Sequence, residues 1–444
     1  MVKIGKRVLD LIKRDKKFII TTTREEYPFV ADHGSGDFVY DIEGNRFIDF
    51  SSFISVYNLG VNANEYVRNA VKAQLEKLIH PAFTDYYSEL PVEFAEKLVS
   101  MFPKGFGKVF FSNSGTEANE AALKYAKVAT KRTYVLAFYN AFHGRTMGSL
   151  GLTASKAVQR EYFGPFNAVI HAPFAYCYRC PFHQEYPSCG MACIDYIKKY
   201  PLSKEVAPEE ISAIFIEPVQ GEGGYIVPPK EFVKEIRKIA DDNGMILVDD
   251  EVQAGYMRTG KFLALDNFGV KAEIYTMAKS LGGGLPIGAT VVKRSIADVP
   301  AGAHANTFGG NLLSIAAAKA SLEYVKRNFK SIQRHIKSES RYIFKRLNSM
   351  KERYEIIGDV RGIGLMIGVE LVKSKKGKEP GIEERQAVLN YSFEKGLLLL
   401  PAGQSTIRII PPLTIKHSNV EKGLEIFEEA VSSVQNAKNK AQRA

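Results

Sequence analysis

Two short apolar runs, ISAIFIEP (211–218) and GMILVDD (244–250), flank a stretch of different periodicity, PKEFVKEIRKIADDNG (229–244). The outer runs are too short for helices and read as buried strands. The middle stretch is amphipathic at helical spacing and closes on a glycine, which stops a helix. The same alternation starts near residue 60. NEYVRNAVKAQLEKLI is helical by period, KVFFS (108–112) is strand-like, a helix follows from about Thr116 to Ala129, and RTYVLAFY is another strand. Strands alternating with helices predict an α/β fold: a mainly parallel sheet covered by helices on both faces. In such sheets ligands sit beyond the carboxyl ends of the strands.

After NTFGGNLLSIAAAKASLEYVKR the character changes. A long helix to about Lys326 leads into two strand-rich stretches, EIIGDVRGIGLMIGVELV and TIRIIPPLTI, and KSKKGKEPG (373–381) reads as an exposed loop. At the other end, Val2 to Ile20 reads as a basic amphipathic helix. GDFVYDIEGNRFIDF (36–50) reads as a hairpin turning at Glu43-Gly44. The expected organisation is an N-terminal segment (1–58), a large domain (59–314) and a C-terminal domain (315–444), with the two ends building a smaller α+β domain. A chain of 444 residues, 45% hydrophobic and 25% charged, suits a soluble globular protein with a large core. The net charge of +11 is concentrated in clusters at the two ends, and no nucleic-acid-binding motif accompanies it. It reads as a solvated basic surface, with a site for a multiply charged anion as the alternative. No segment approaches the roughly 18 apolar residues of a membrane span, and FII (18–20) is too short for a signal peptide. The expected setting is the cytoplasm, with small-molecule partners and neither nucleic acid nor membrane.

Three features fall at strand ends. In SNSGTEANEAA (112–122) a strand gives way to a helix through Ser114-Gly115-Thr116. Free N–H groups at such a helix start can hold a phosphate, and the same residues also make an ordinary helix cap. In LVDDEVQAG (247–255) acids follow an apolar strand. They can bind a metal, hold a cationic ring nitrogen, pair for sugar hydrolysis or simply face solvent. In TMAKSLGGGLPIG (276–288) one lysine stands in a small, apolar run. A phosphate-binding loop ending on Lys279 would need glycines where Glu273 and Ala278 stand. A lysine in a cramped apolar place can instead be a nucleophile. Together an anion-binding helix start, an acid and a buried lysine meet the needs of pyridoxal phosphate: its phosphate, its ring nitrogen and its aldehyde.

At this point the chain resembles the class III (ω-amino acid) pyridoxal-phosphate aminotransferases of fold type I, closest to their 4-aminobutyrate aminotransferase-like members. SNSGTEANEAALK, FHGRTMGSLGLT, IEPVQGEGGY, VDDEVQAGYMRTGKF, AKSLGGGLPIGA and NTFGGN carry the resemblance, in that order. It implies that Lys279 forms the Schiff base with the cofactor and moves the proton, and that Asp250 pairs with the ring nitrogen. Gln253 would lie near the ring's phenolic oxygen, with Phe142 and Val252 on the two ring faces. Gly115 and Thr116 would hold the phosphate, and Thr307 would reach the phosphate of a neighbouring subunit, which implies a homodimer with shared sites. Glu217 would support the network of Asp250 and Gln253.

For the substrate, Arg408 resembles the arginine that grips an α-carboxylate, and Glu222 the glutamate that covers it when the donor has none. Ile54 matches a pocket position that is apolar in 4-aminobutyrate enzymes. The implied reaction moves an amino group from an ω-amino acid to a 2-oxoacid such as 2-oxoglutarate. The alternatives are an ornithine- or acetylornithine-type aminotransferase and an amino-acid racemase or epimerase on the same fold. All four cysteines, Cys177, Cys180, Cys189 and Cys193, lie in CYRCPFHQEYPSCGMAC. A structural zinc, disulfides and reduced thiols are the three readings of that spacing.

Overall fold

The computed structural model describes residues 2–20, 27–62, 64–166 and 168–441. The chain divides into two compact units, one of residues 1–64 and 330–444, the other of residues 65–329.

The larger unit is built on a seven-stranded sheet. Across the sheet the strands run Phe106–Ser112, Gly288–Lys293, Ile274–Met277, Ile246–Asp250, Ile211–Ile216, Tyr134–Phe138 and Val169–Ala172. Only Gly288–Lys293 is antiparallel to its neighbours. Every residue of ISAIFI and of ILVDD is buried, as expected of strands covered on both faces. The crossover helix Lys230–Asp242 buries Phe232, Val233, Ile236, Ile239 and Ala240, one stripe at helical spacing. The helix Gly115–Thr130 presents small residues, and its Ala122 and Ala126 pack with Val135, Ala213, Phe215 and Val248 of the sheet. Full burial of such a valine or phenylalanine stabilises by about 1.5–3 kcal/mol.

This topology gathers the loops. Six strands end at the same edge, and their following segments start at Asn113, Tyr139, Pro173, Glu217, Glu251 and Ala278. The order reverses around Ile211–Ile216, which lies between Tyr134–Phe138 and Ile246–Asp250. That reversal opens the crevice in which sheets of this kind bind ligands.

The smaller unit holds two four-stranded sheets. Phe38–Asp41 and Arg46–Asp49 form the expected hairpin. Gly44 takes φ +80° in its turn, where Asp41 Oδ1 accepts from the N–H groups of Glu43 and Asn45. Leu397–Leu398 joins that sheet in parallel beside Arg46–Asp49, and Phe47 stacks on Phe393 at 5.1 Å. The second sheet runs Ile357–Ile363, Met366–Leu371, Thr406–Ile409 and Leu400–Ala402.

Candidate active site

The helix start comes first. Ser114 caps the helix by accepting from the Glu117 N–H at 3.3 Å. The Thr116 hydroxyl lies 2.8 Å from Thr146 Oγ1 and accepts from the N–H groups of Arg145 and Thr146. Ser149 Oγ adds a third hydroxyl to the cluster. A methyl group on Gly144 would stand 2.2 Å from Thr116 Oγ1, so the 142–146 loop closes over the helix start only because residue 144 is glycine.

Gly115 fixes where the other loops sit. A Cβ there would be 2.7 Å from Val252 Cγ1 and 3.5 Å from the Ala278 side chain. The helix start, the segment after Asp250 and the residue before Lys279 therefore meet at one point. Lys279 directly follows Ala278, is half-buried, and holds φ +47°. A non-glycine residue in the left-handed region is a cost of roughly 1–3 kcal/mol, and such strain gathers at functional sites.

Asp250 is buried and receives three donors. Asn119 Nδ2 and His143 Nδ1 each lie 2.8 Å from its Oδ2, and the Val252 N–H donates to Oδ1 at 3.0 Å. Asn119 also donates to the His143 carbonyl and accepts from Thr276 Oγ1, so one side chain ties the helix Gly115–Thr130 to three strand-end segments. Burial lowers the His143 pKa, but the hydrogen bond and charge of Asp250, with the charge of Glu217, outweigh it and the net shift is upward. Its Nε2 is buried without a partner.

Glu217 is buried and bridges two loops, accepting from the Phe142 N–H at 2.8 Å and the Gly221 N–H at 3.0 Å. Burial pushes its pKa up to about 7, against the pull of His143. Gln253 packs on Gly221, where a Cβ would be 2.3 Å from its Nε2, and it accepts from the Tyr225 hydroxyl at 2.8 Å. Phe142 is half-buried with the Arg145 guanidinium 5.6 Å from its ring centre.

These residues fit pyridoxal phosphate. The open helix start with its hydroxyl cluster suits a phosphate, and the donor-fixed Asp250 suits a cationic ring nitrogen. Phe142 and Val252 offer apolar faces, and Lys279 offers the amine. Asn119 and His143 were missed in the sequence. They sit inside quoted motifs, but their partner Asp250 is 131 and 107 residues away.

The remaining expected residues are placed as follows. Glu222 is half-buried and paired with Lys156 at 2.8 Å. Thr307 is exposed beside Asn306, which anchors to the Phe111 carbonyl. Arg408 and Ile54 belong to the smaller unit. Arg408 is 4% exposed on the strand Thr406–Ile409, and its Nε donates to the Pro401 carbonyl at 2.7 Å. Ile54 lies in a turn whose residues Ser52 to Ser55 all have positive φ. Asp49 pins that turn by accepting from the N–H groups of Ser51 and Ser52.

Nothing in the structure supports the zinc reading of the cysteines. Cys177, Cys180, Cys189 and Cys193 line one cavity of about 20 Å³ and are free thiols. Among the described residues no group of three or more His, Cys, Asp or Glu side chains is arranged to hold a metal ion. Burial raises the Cys177 pKa and pushes Cys193 up to about 11, so the metal-free thiols stay protonated. Among the described residues no helix is long and apolar enough to cross a membrane.

Comparison with known proteins agrees with this geometry. The class-III aminotransferase family pattern matches residues 19–431. The chain is 40% identical to a leucine/methionine racemase of Thermococcus litoralis, over 96% of both chains. It is 36% identical to a probable 4-aminobutyrate aminotransferase of Bacillus subtilis, over 90% of this chain and 92% of that one. Among solved structures, an amine transaminase from an uncultivated Pseudomonas species, in its pyridoxal-phosphate-bound form, superposes with a TM-score of 0.87. That match has 28% identity and covers 94% of this chain and 98% of the other. The chain thus has the fold of the fold type I enzymes that use pyridoxal phosphate, and it belongs to the class-III aminotransferase family.

Proposed function

We propose that the protein is a cytoplasmic homodimeric aminotransferase that moves an amino group from an ω-amino acid of the 4-aminobutyrate type to a 2-oxoacid such as 2-oxoglutarate. The observation that carries the reading is the meeting of Gly115, Val252 and Ala278 at one point, beside Asp250 and Lys279.

Bound there, pyridoxal phosphate supplies an electron sink that lets the C–H bond beside the donor's nitrogen ionise. Gly115 and Thr116 would hold its phosphate, and Asp250 would pair with its ring nitrogen. Asn119, His143 and the Val252 N–H keep the Asp250 carboxylate from turning. Phe142 and Val252 would flank the ring and exclude water from it. Glu217 holds the Phe142 and Gly221 loops in register through its two carboxylate oxygens. Lys279 Nζ would take the proton from the donor carbon and, in transamination, pass it to the cofactor carbon that carried the aldehyde. Arg408 is the proposed partner of the acceptor's α-carboxylate, because a guanidinium grips a carboxylate through two parallel bonds. Glu222 is the proposed switch that admits a donor lacking that carboxylate, and Ile54 its apolar pocket wall. Thr307 is proposed to serve the phosphate of the neighbouring subunit.

A second reading is favoured by the 40% identity to a racemase over nearly the whole of both chains. A racemase would use the same Lys279 and Asp250 but return the proton to the same carbon. One experiment separates the two. The holoenzyme is given a panel of ω- and α-amino donors, including ornithine and acetylornithine, with 2-oxoglutarate, and glutamate is measured. The expected result is fastest glutamate formation from 4-aminobutyrate-like donors. Loss of optical activity in a single L-amino acid without any 2-oxoacid, and no glutamate from any donor, would overturn the proposal.

A further inference from the structure

The larger unit carries a second cavity, of about 860 Å³, that none of the proposed cofactor contacts uses. Small-molecule pockets span roughly 300–1,000 Å³. Two aromatic pairs line it. Tyr139 and His171 stack with ring centres 6.0 Å apart, and Tyr196 and Tyr200 lie 4.9 Å apart.

Its polar groups are fixed in place. Arg160 Nη1 donates to the carbonyls of Gly151 and Thr153 and lies 3.2 Å from His171 Nε2. The Leu152 carbonyl lies 3.4 Å from the same His171 nitrogen. Burial, and then the charge of Arg160, push the His171 pKa down to about 4, so the ring stays neutral near pH 7. A second cation, Lys156, lines the cavity while its Nζ holds Glu222 Oε1 at 2.8 Å. Glu161 and Glu205 also line it, and they disfavour phosphate esters and other polyanions.

We propose that this cavity binds a small aromatic monocarboxylate, its ring against the tyrosines and its carboxylate on Lys156 and Arg160, and that the occupant regulates the reaction by drawing Lys156 away from Glu222. The binding half stands on the cavity alone. The regulatory half rests on the proposed role of Glu222 in donor choice.

The test uses the holoenzyme and 3-phenylpropionate, which has no amine to donate, with 3-phenylpropionamide as the uncharged control. Calorimetric titration is expected to give binding that weakens about tenfold for the amide and about tenfold in Tyr196→Ala/Tyr200→Ala. The ligand is expected to shift the KM of the ω-amino donor several-fold in the native protein and not in the double variant, whose activity without ligand is unchanged. Equal binding to native protein and double variant overturns the proposal, since the ligand then occupies the catalytic cleft. Failure of the Glu222 reading shows separately: Glu222→Gln would leave the donor KM unchanged with no ligand present.

Discussion

Asp249 and Asp250 end the same buried strand, and the alternation of a strand sends their side chains to opposite faces of the sheet. On one face Asn119, His143 and the Val252 N–H converge on Asp250. On the other, Asp249 lies carboxyl to carboxyl with Glu251, and neither of its oxygens receives an N–H donor. Burial, and then the charge of Glu251, hold the Asp249 carboxyl well above the usual carboxylate range. Two residues of one type, equally buried, therefore have different chemistry because one face supplies donors and the other does not. The face with donors is the face that meets Lys279 and the helix start. The face without them sets Asp249 beside Glu251, Asp266 and Tyr275 and favours the protonated Asp249 carboxyl.

The largest expected effects test whether the donor-rich face carries the chemistry. Lys279→Ala is expected to lower kcat by about 10⁵-fold or more and to abolish the visible absorption of the holoenzyme, since no other side chain there supplies the amine. Asp250→Asn, which keeps shape and hydrogen-bonding reach, is expected to cost about 10³-fold in kcat with the fold retained by circular dichroism. Asp249→Asn is the control, with kcat expected within about threefold of native. Comparable losses from the two Asn variants would break the distinction between the faces.

The acid-rich face makes a pH prediction. Glu251 accepts from the Leu265 N–H, yet burial pushes its pKa from 4.5 up to about 7. A carboxyl whose folded pKa exceeds its unfolded value holds its proton more tightly in the native state. The stability it lends is complete below pH 4.5 and is lost as pH climbs through about 7. For Glu251 the loss across that window is on the order of 3 kcal/mol. Glu217, also raised to about 7, titrates in the same window. Urea unfolding at pH 5 and pH 7 should therefore show the native protein weakening with pH, and Glu251→Gln should remove part of that slope. An unchanged slope in Glu251→Gln would mean that its carboxyl is already ionised in the fold.

Much of the donor-rich face was legible in the sequence because each strand-end loop announces itself locally. A strand followed by Ser-Gly-Thr and a helix, acids after LV, and a lysine before three glycines are all readable within a dozen residues. The parallel sheet was legible for the same reason, since period and strand length are local properties. Long-range pairing was not. Asn119 reads as one polar residue on a helix, and nothing near it names Asp250 or Thr276 as its partners. The neutral state of Asp249 was equally hidden, because VDDE reads as three solvated acids until the absence of donors around Asp249 is seen. The cysteines mislead in the opposite direction. Their spacing suggests a ligand set, but the fold places them around a small cavity where burial favours the thiol.

The smallest expected effect sharpens the comparison at Gln253, the proposed neighbour of the ring's phenolic oxygen. The Tyr225 hydroxyl donates to Gln253 Oε1, which turns the amide nitrogen toward Gly221. Tyr225 is fully buried, so Tyr225→Phe keeps the packing and removes only the hydroxyl. A neutral hydrogen bond is worth about 0.5–1.5 kcal/mol, and its loss frees the amide to rotate. Steady-state kinetics are expected to show a fall in kcat of about two- to tenfold. Gln253→Ala should then add little to the Tyr225→Phe defect, because both changes remove the same oriented amide. Additive defects in the double variant would show that Tyr225 acts through something other than Gln253.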